Sequence, residues 1–459
     1  MVNARHQQRR CMPTIERIIV ISSEDDRLRV AGGIGTYLGL WTKMVREVRP
    51  ELEVHWIARA PEGMRLECVD AFGVHRVYLP IDPSLGEEAA FAQFRTQVND
   101  TVGALVRVAP DLPTVIEVGD WEGHGADLFR FVDRSNILRV ARLHTPLATC
   151  VRQNRMRSTA QVVAQLRAER QTLLHADLLS SCTQHVKRMV LQDVFEAQDI
   201  PPDVVVIPNP IDAARFVPEP STRSDAVARM NMHLGESFIG NETYNVYVIA
   251  SVEERKGAVQ VTDAIAQVAD AVPLARFCFV GHHGGGTRQL TANRKLDPEA
   301  LIARVPRRHH KRIRFAGYVN HEALPLLIQG GDVFPVMSVG DNFPGAVAEI
   351  ALCGKPIVAL NRAGIREMLS GAHGRCVAES IGGALRGAAD RLAGRLIELA
   401  SDPRRRAQIG ANLRALMLRK YKPETVVDRL LNAYELALAG KRGKEVTSGS
   451  VGLLANISR

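Results

Sequence analysis

The sequence predicts an α/β protein of two Rossmann-like domains with parallel sheets, and three observations carry that prediction. Short apolar runs alternate with segments of helical spacing along nearly the whole chain, as expected of doubly wound sheets whose strands are buried on both faces. The alternation runs twice, with the Pro208-Asn209-Pro210 turn and a polar stretch between the two series. With 459 residues, 46% of them hydrophobic, the chain can fill more than one sizeable core.

The first series opens with Ile18-Ile19-Val20-Ile21 in a strand from Ile15 to Ser22, then a glycine-rich turn and a helix to about Val48. Leu52 to Ile57, Thr114 to Val118 and Ile137 to Leu143 read as further strands, and Phe91 to Val108 as a helix among them. The domain cut falls near residue 215, and Pro218 to Thr243 reads as irregular. The second series has strands at Tyr244 to Ser251, Ala275 to Val280, Ile313 to Phe315, Val333 to Met337 and Pro356 to Leu360, with Ala258 to Val268 a helix. A last helix, Lys422 to Leu438, starts at Pro423 and could pack back on either domain. The domains are thus 1–215 and 216–440, and the polar, basic segment 441–459 reads as a flexible tail.

Composition narrows the class of function. No apolar run reaches the roughly 18 to 20 residues that span a bilayer, and the N-terminus, with Arg5, Arg9 and Arg10, lacks the apolar segment of a signal peptide. The expectation is a cytoplasmic protein. Seven cysteines from Cys11 to Cys376 form no close pair, so they read as reduced core residues rather than disulfides or zinc ligands. A net charge of +9 suits nucleic acid, an anionic membrane or a phosphorylated substrate. The clusters Arg307, Arg308, Lys311, Arg312 and Arg404 to Arg406 lack the interleaved aromatics that stack bases, which argues against nucleic acid. They read as solvated faces, with peripheral contact to lipid headgroups the functional alternative.

Four stretches could carry chemistry. Ala31-Gly32-Gly33-Ile34-Gly35-Thr36-Tyr37 follows the first strand and opens a helix, so Gly33 and Gly35 could let an anion approach the helix N-terminus. Its spacing is not the dinucleotide fingerprint, and a tight turn that binds nothing explains it equally. His144 ends a strand just before Pro146, which puts its imidazole in a loop at the ligand-binding edge of the sheet. It suits a substrate hydroxyl better than a metal, a purely structural histidine being the alternative. Arg255-Lys256-Gly257 closes the first strand of the second series and offers two cations to a diphosphate, unless both merely pair with Glu253 and Glu254.

The fourth stretch is Gly340-Asp341-Asn342-Phe343-Pro344-Gly345-Ala346-Val347-Ala348-Glu349, followed by Cys353-Gly354-Lys355-Pro356. Asp341 or Asn342 can cap a helix whose first turn holds Pro344. Glu349 lies roughly 7 Å further along that helix, at 1.5 Å per residue. One acid could then bind sugar hydroxyls, the helix end phosphate, and the second acid a ribose. A capped helix with an incidental glutamate is the structural alternative.

In this order the motifs resemble those of the retaining, nucleotide-sugar-dependent glycosyltransferases that include glycogen synthases, the family 4-like "glycosyl transferases group 1" proteins of GT-B fold. The landmarks are Gly32-Gly33-Ile34-Gly35-Thr36-Tyr37, Asp120-Trp121, His144, Pro208-Asn209-Pro210-Ile211-Asp212, Lys256-Gly257, Phe315-Ala316-Gly317-Tyr318-Val319 and the paired acids before Cys353-Gly354-Lys355-Pro356. The resemblance runs from about Ile15 to Leu438. It implies two Rossmann-like domains whose parallel sheets face across a cleft, and transfer of a sugar from a nucleoside-diphosphate donor with retention and without a metal or other cofactor.

Residue by residue, the resemblance implies that Lys256 contacts the donor diphosphate, Glu349 binds the ribose and Asp341 lies near the transferred sugar. Asn342, Phe343, Pro344 and Gly345 supply loop contacts, His144 contacts the sugar, the Gly32 to Gly35 loop faces phosphates and acceptor, and Val319 lies by the base. Asp341 stands where the family commonly has glutamate, and Ser251 stands where it commonly has a diphosphate-binding arginine, a place that Arg255 could fill. The implied acceptor is a saccharide, a lipid-linked saccharide or a small metabolite, with Arg152, Arg155 and Arg157 hinting at an anionic one. The alternatives are a nucleotide-sugar epimerase, a phosphorylase and a non-catalytic sugar-nucleotide-binding protein.

Overall fold

The computed structural model describes residues 14–446 apart from 26, 28–32, 61–64, 155–156, 220–221, 284–295, 372–375 and 377. The chain divides into two compact units, Met1–Pro210 with Pro423–Arg459, and Ile211–Lys422. The division therefore falls at Pro210, inside the Pro-Asn-Pro turn, where the sequence places it near residue 215.

The first unit is an eight-stranded sheet of β1 (Arg17–Ser22), β2 (Glu53–Arg59), β3 (Leu66–Val69), β4 (His75–Leu79), β5 (Thr114–Gly119), β6 (Ile137–Leu143), β7 (Leu178–Ser181) and β8 (Val204–Val206). Their order is β3-β4-β2-β1-β5-β6-β7-β8, parallel except for the antiparallel edge strand β3. Every residue of β1 is buried, which is why it reads as an unbroken apolar run rather than an alternating one. Periodicity does not mark β3, β4, β7 and β8. They are short, and β4 begins His-Arg while β7 ends Ser-Ser.

The second unit carries β9 (Tyr244–Ile249), β10 (Ala275–Val280), β11 (Ile313–Gly317), β12 (Phe334–Val336), β13 (Ile357–Ala359) and β14 (Glu379–Ser380). These form two three-stranded pieces, β11-β10-β9 and β12-β13-β14. A parallel bridge between Val246 and Val333 joins them, with the Tyr247 amide donating to the Val333 carbonyl at 3.1 Å. Across both pieces the order is that of a Rossmann sheet, and the direction of winding reverses between β9 and β12.

Two expectations need correction. The stretch Pro218 to Thr243 is not irregular throughout, because Arg223–Leu234 is a helix that buries Ala226, Val227 and Met230 and ends at left-handed Gly235. Its weak amphipathicity hid it. The tail also begins later than residue 441, since the last helix is Pro423–Val446. Lys441 is fixed by Asp177 at 2.8 Å, Asp133 at 3.0 Å and the Ile137 carbonyl at 3.0 Å. Residues 447–459 lie outside the described residues.

The last helix belongs to the first unit. Its Val426, Val427, Leu430, Leu431, Tyr434 and Leu438 are buried in one cluster with Trp41, Trp56 and Val140, and each such side chain contributes about 1.5–3 kcal/mol of burial. The same core holds a polar group. Glu117, on β5, accepts from Tyr37 at 3.0 Å and Tyr434 at 2.7 Å, and burial holds its carboxyl above the usual range. Arg142 lies over the Tyr37 ring and donates to Ser180 at 2.6 Å, Asn209 at 2.6 Å and the Ile207 carbonyl at 2.8 Å. A charge buried this deeply needs such partners, and both terminal nitrogens have them while the buried Nε makes no hydrogen bond.

Candidate active site

In the second unit the candidate site lies where the winding reverses, at the C-terminal ends of β9 and β12, the place where open parallel sheets leave a crevice. A recess there is lined by Ala250, Lys256, Met337, Asp341, Pro344 and Gly345 among others. The loop after β9 and the loop after β12 are drawn together at Gly257, which precedes the helix Ala258–Ala271 with φ of 81°. A Cβ on Gly257 would stand 2.3 Å from the Met337 carbonyl oxygen, so the position requires glycine for both conformation and space. The Val339 amide donates to the Arg255 carbonyl at 2.9 Å, which fixes the two loops in register.

That register puts Lys256 and Arg255 on one carboxylate. Lys256 Nζ donates to both oxygens of Asp341, at 2.7 and 2.8 Å, and Arg255 Nη1 donates to Oδ1 at 3.1 Å. Burial alone would raise the Asp341 carboxyl, but the Lys256 and Arg255 charges outweigh it and hold the group at about 2. Arg255 also lies 3.6 Å from Glu253. The pairing expected with Glu253 and Glu254 is therefore present for Arg255 with Glu253, and secondary to Asp341.

The second carboxylate is on the same short helix, Gly345–Leu352. Neither Asp341 nor Asn342 caps it, contrary to expectation. Pro344 occupies the N-cap without a side-chain bond, because the Asp341 carboxylate is turned to the two cations. Glu349 Oε1 lies 3.5 Å from where a Gly345 Cβ would stand, so its carboxylate reaches back towards the helix start. His321 holds it through an Nε2 contact of 2.9 Å, and Arg215 in turn meets His321 Nδ1 at 3.0 Å.

The 341–345 loop rests on a support that the sequence does not reveal. The Gly364 amide donates to the Asp341 carbonyl at 2.9 Å, and a Cβ on Gly364 would come within 1.6 Å of the Asn342 carbonyl oxygen. Asn342 is buried, and the Phe343 ring meets Tyr421 edge-on at 5.4 Å. Val319 follows β11 and is partly buried against the core. Beside it the exposed Tyr318 ring stacks on His282 at 4.7 Å. Cys353 precedes left-handed Gly354, which ends the helix as expected.

In the first unit the corresponding reversal lies between β1 and β5. A Cβ on Gly119 would meet His144 at 3.8 Å and Ile34 at 3.9 Å, so the glycine loop and His144 converge there. The Tyr37 ring meets the His144 ring at 5.1 Å. Burial first, and then the Arg142 charge, push His144 down to about 3, which makes it a neutral imidazole. Asp120 orients its backbone, accepting from the His144 amide at 3.0 Å and the Trp121 amide at 2.9 Å. Burial raises the Asp120 carboxyl to about 7 against the pull of those amides.

Gly33 starts the helix Gly33–Val48 at the surface, and Gly32 lies outside the described residues. The Gly35 amide donates to Glu24 Oε2 at 2.8 Å, so this chain's own carboxylate takes the anion position at the turn. The basic clusters are largely spent on internal partners. Arg308 pairs with Asp270 at 2.9 Å and Arg405 with Glu379 at 2.7 Å, and Arg312 and Arg406 donate to backbone carbonyls. Arg152 pairs with Asp193 at 2.9 Å, and Arg155 lies outside the described residues. Six cysteines are described, and none of these forms a disulfide. Among the described residues no helix is long and apolar enough to cross a membrane.

Comparisons with known proteins bear on the fold and on the family of the second unit. Residues 243–402 match the family model described as glycosyl transferases group 1. Sucrose-phosphate synthase from Thermosynechococcus elongatus superposes with a TM-score of 0.70 at 18% identity, covering 93% of this chain and 100% of that one. Anabaena HepE in complex with UDP and glucose gives 0.64 at 18% identity, covering 91% and 98%. The trehalose-6-phosphate synthase OtsA gives 0.63 at 13%, covering 91% and 99%. One component of the human phosphatidylinositol N-acetylglucosaminyltransferase is 25% identical over 178 residues, 38% of this chain and 31% of that protein's length. The chain thus spans about a third of that curated relative. The fold is the GT-B type, two Rossmann-like units.

Proposed function

We propose that this chain, whose second unit carries a glycosyl transferases group 1 domain, is a retaining glycosyltransferase that moves a sugar from a nucleoside-diphosphate sugar to an acceptor hydroxyl. The observation that carries the reading is the convergence of Lys256 and Arg255 on Asp341, beside the start of a helix that also bears Glu349. Structural neighbours described with UDP and with UDP-glucose support a nucleotide donor.

In this mechanism the donor's anomeric carbon–oxygen bond breaks and its electron pair stays on the diphosphate. Lys256, Arg255 and the first amides of the Gly345–Leu352 helix stabilise that charge as it develops. The acceptor oxygen bonds to the anomeric carbon from the face that the diphosphate leaves, and its proton passes to the departing oxygen. Glu349, oriented by His321, accepts hydrogen bonds from the ribose hydroxyls. Within the second unit Asp341 is the group for the transferred sugar, Val319 lies by the base, and Asn342 to Gly345 form the donor loop; within the first unit neutral His144 is the group that can meet a sugar hydroxyl. Arg255 supplies the second cation in place of an arginine at Ser251. No metal or cofactor takes part, and the acceptor is a saccharide, a lipid-linked saccharide or a small metabolite met in the cytoplasm.

A second reading, a protein that binds the donor without turning it over, is favoured by Ser251 alone. One experiment separates the two. Nucleoside-diphosphate sugars are screened for thermal stabilisation and nucleotide release, with Lys256→Ala as control. Stabilisation by one donor, with release over broad acceptor pools and loss of both in the variant, is expected. Stabilisation without release would favour the non-catalytic binder, and no response to any donor would overturn both.

A further inference from the structure

The two cations assigned to the diphosphate are not idle in this structure, and the balance of charge around them is the informative feature. Asp341 takes three contacts from Lys256 and Arg255, between 2.7 and 3.1 Å, with its side chain only 12% exposed. Glu253, its side chain 6% exposed, lies 3.6 Å from Arg255 on the other side. Two positive charges thus face two carboxylates, and an incoming anion meets no net positive charge unless one carboxylate gives up its partners.

Of the two, Asp341 is the one that lines the recess with Lys256. Its backbone is held independently of its side chain, by the bond from the Gly364 amide, so the carboxylate can turn without the loop unfolding. Lys256 reaches it with both carboxylate oxygens in range.

We propose that Asp341 is an internal competitor of the nucleotide's diphosphate for Lys256 and Arg255, and that this competition sets which anions the site accepts. The inference rests on reading the second unit as the donor site. A monophosphate exchanges little more than one negative charge for the one it displaces. A diphosphate brings more charge, spread over more oxygens, and can hold both cations at once. Its binding releases the Asp341 carboxylate to accept hydrogen bonds from the sugar, so loading of the diphosphate and recognition of the sugar become one event.

The test uses nucleotides without sugar, so that any direct contact between Asp341 and the sugar is silent. Binding of UDP, GDP, ADP and the matching monophosphates is measured calorimetrically for the full chain and for Asp341→Asn, which keeps the shape and removes the charge. Asp341→Ser serves as a second variant, and circular dichroism checks that each is folded. The expected result is a nucleoside diphosphate bound about tenfold tighter by both variants, with a monophosphate gaining by a still larger factor, so that discrimination by charge shrinks. Equal or weaker diphosphate binding in the variants would overturn the competition while leaving the donor site in place. No nucleotide binding by any of the three proteins would overturn the donor-site reading itself.

Discussion

Tyr434 donates to Glu117 at 2.7 Å across 317 residues of sequence, and the bond ties the last helix to the middle of the first unit's sheet. Glu117 is 1% exposed and Tyr434 is fully buried. Tyr37 supplies the second donor at 3.0 Å. A buried carboxyl group with one donor removed retains part of its desolvation cost uncompensated.

Tyr434→Phe should therefore lower stability by about 1–3 kcal/mol, read as a shift in the urea midpoint at unchanged slope. Tyr37→Phe combined with Tyr434→Phe should cost more than the sum of the two singles, because only the pair leaves Glu117 with neither hydroxyl. Additive losses would show that the carboxyl group finds another partner.

His144 should not titrate across the physiological range. Its folded value of about 3 lies below the ordinary 6.5, so the folded state binds fewer protons than the unfolded chain between those values. Its contribution to stability is complete above about pH 6.5 and declines as pH falls towards 3. Imidazole resonances followed by NMR should leave His144 neutral from pH 5 to 8, and a break in the activity profile there should persist in His144→Asn.

Asp120 has the opposite sign. Its value of about 7 exceeds that of the unfolded chain, about 3.9, so the folded state binds more protons and its burial costs progressively more as pH rises from 4 to 7. Asp120→Asn should remove that downward slope with rising pH from unfolding free energies measured over the same range. An unchanged slope would place the titration elsewhere.

Gly364→Ala should damage donor binding from outside the recess. The new Cβ would fall 1.6 Å from the Asn342 carbonyl oxygen, so the 341–345 loop has to move. A loss of about 1–3 kcal/mol of stability is expected, with thermal stabilisation by nucleotide lost as well. Gly394→Ala, at a helix position where nothing lies within 4 Å of the new Cβ, should leave stabilisation by nucleotide unchanged and raise stability by about 0.5–1 kcal/mol.

Glu349→Ala should weaken nucleotide binding by about ten- to a hundredfold, the cost of losing a charged hydrogen-bond acceptor. His321→Ala should weaken it less, since it removes only the group that steers Glu349. If His321→Ala alone were as severe as Glu349→Ala, His321 would have to touch the ligand itself.

The doubly wound architecture is legible in the amino-acid order, because strands buried on both faces need unbroken apolar runs, and these are visible without any partner. So are the positions of Lys256, Asp341 and Glu349 at strand ends and along a helix, since glycine and proline punctuate the chain locally. What those groups touch is settled by packing. Asp341 faces the cations rather than the helix amides because the register of two loops, fixed at Gly257 and Gly364, outweighs the local preference of an acid for a helix start. The same holds for Glu117 with Tyr434 and for the last helix's place in the first unit. Such pairings join segments whose separation along the chain leaves no periodic trace, and only the folded arrangement brings them within hydrogen-bond distance.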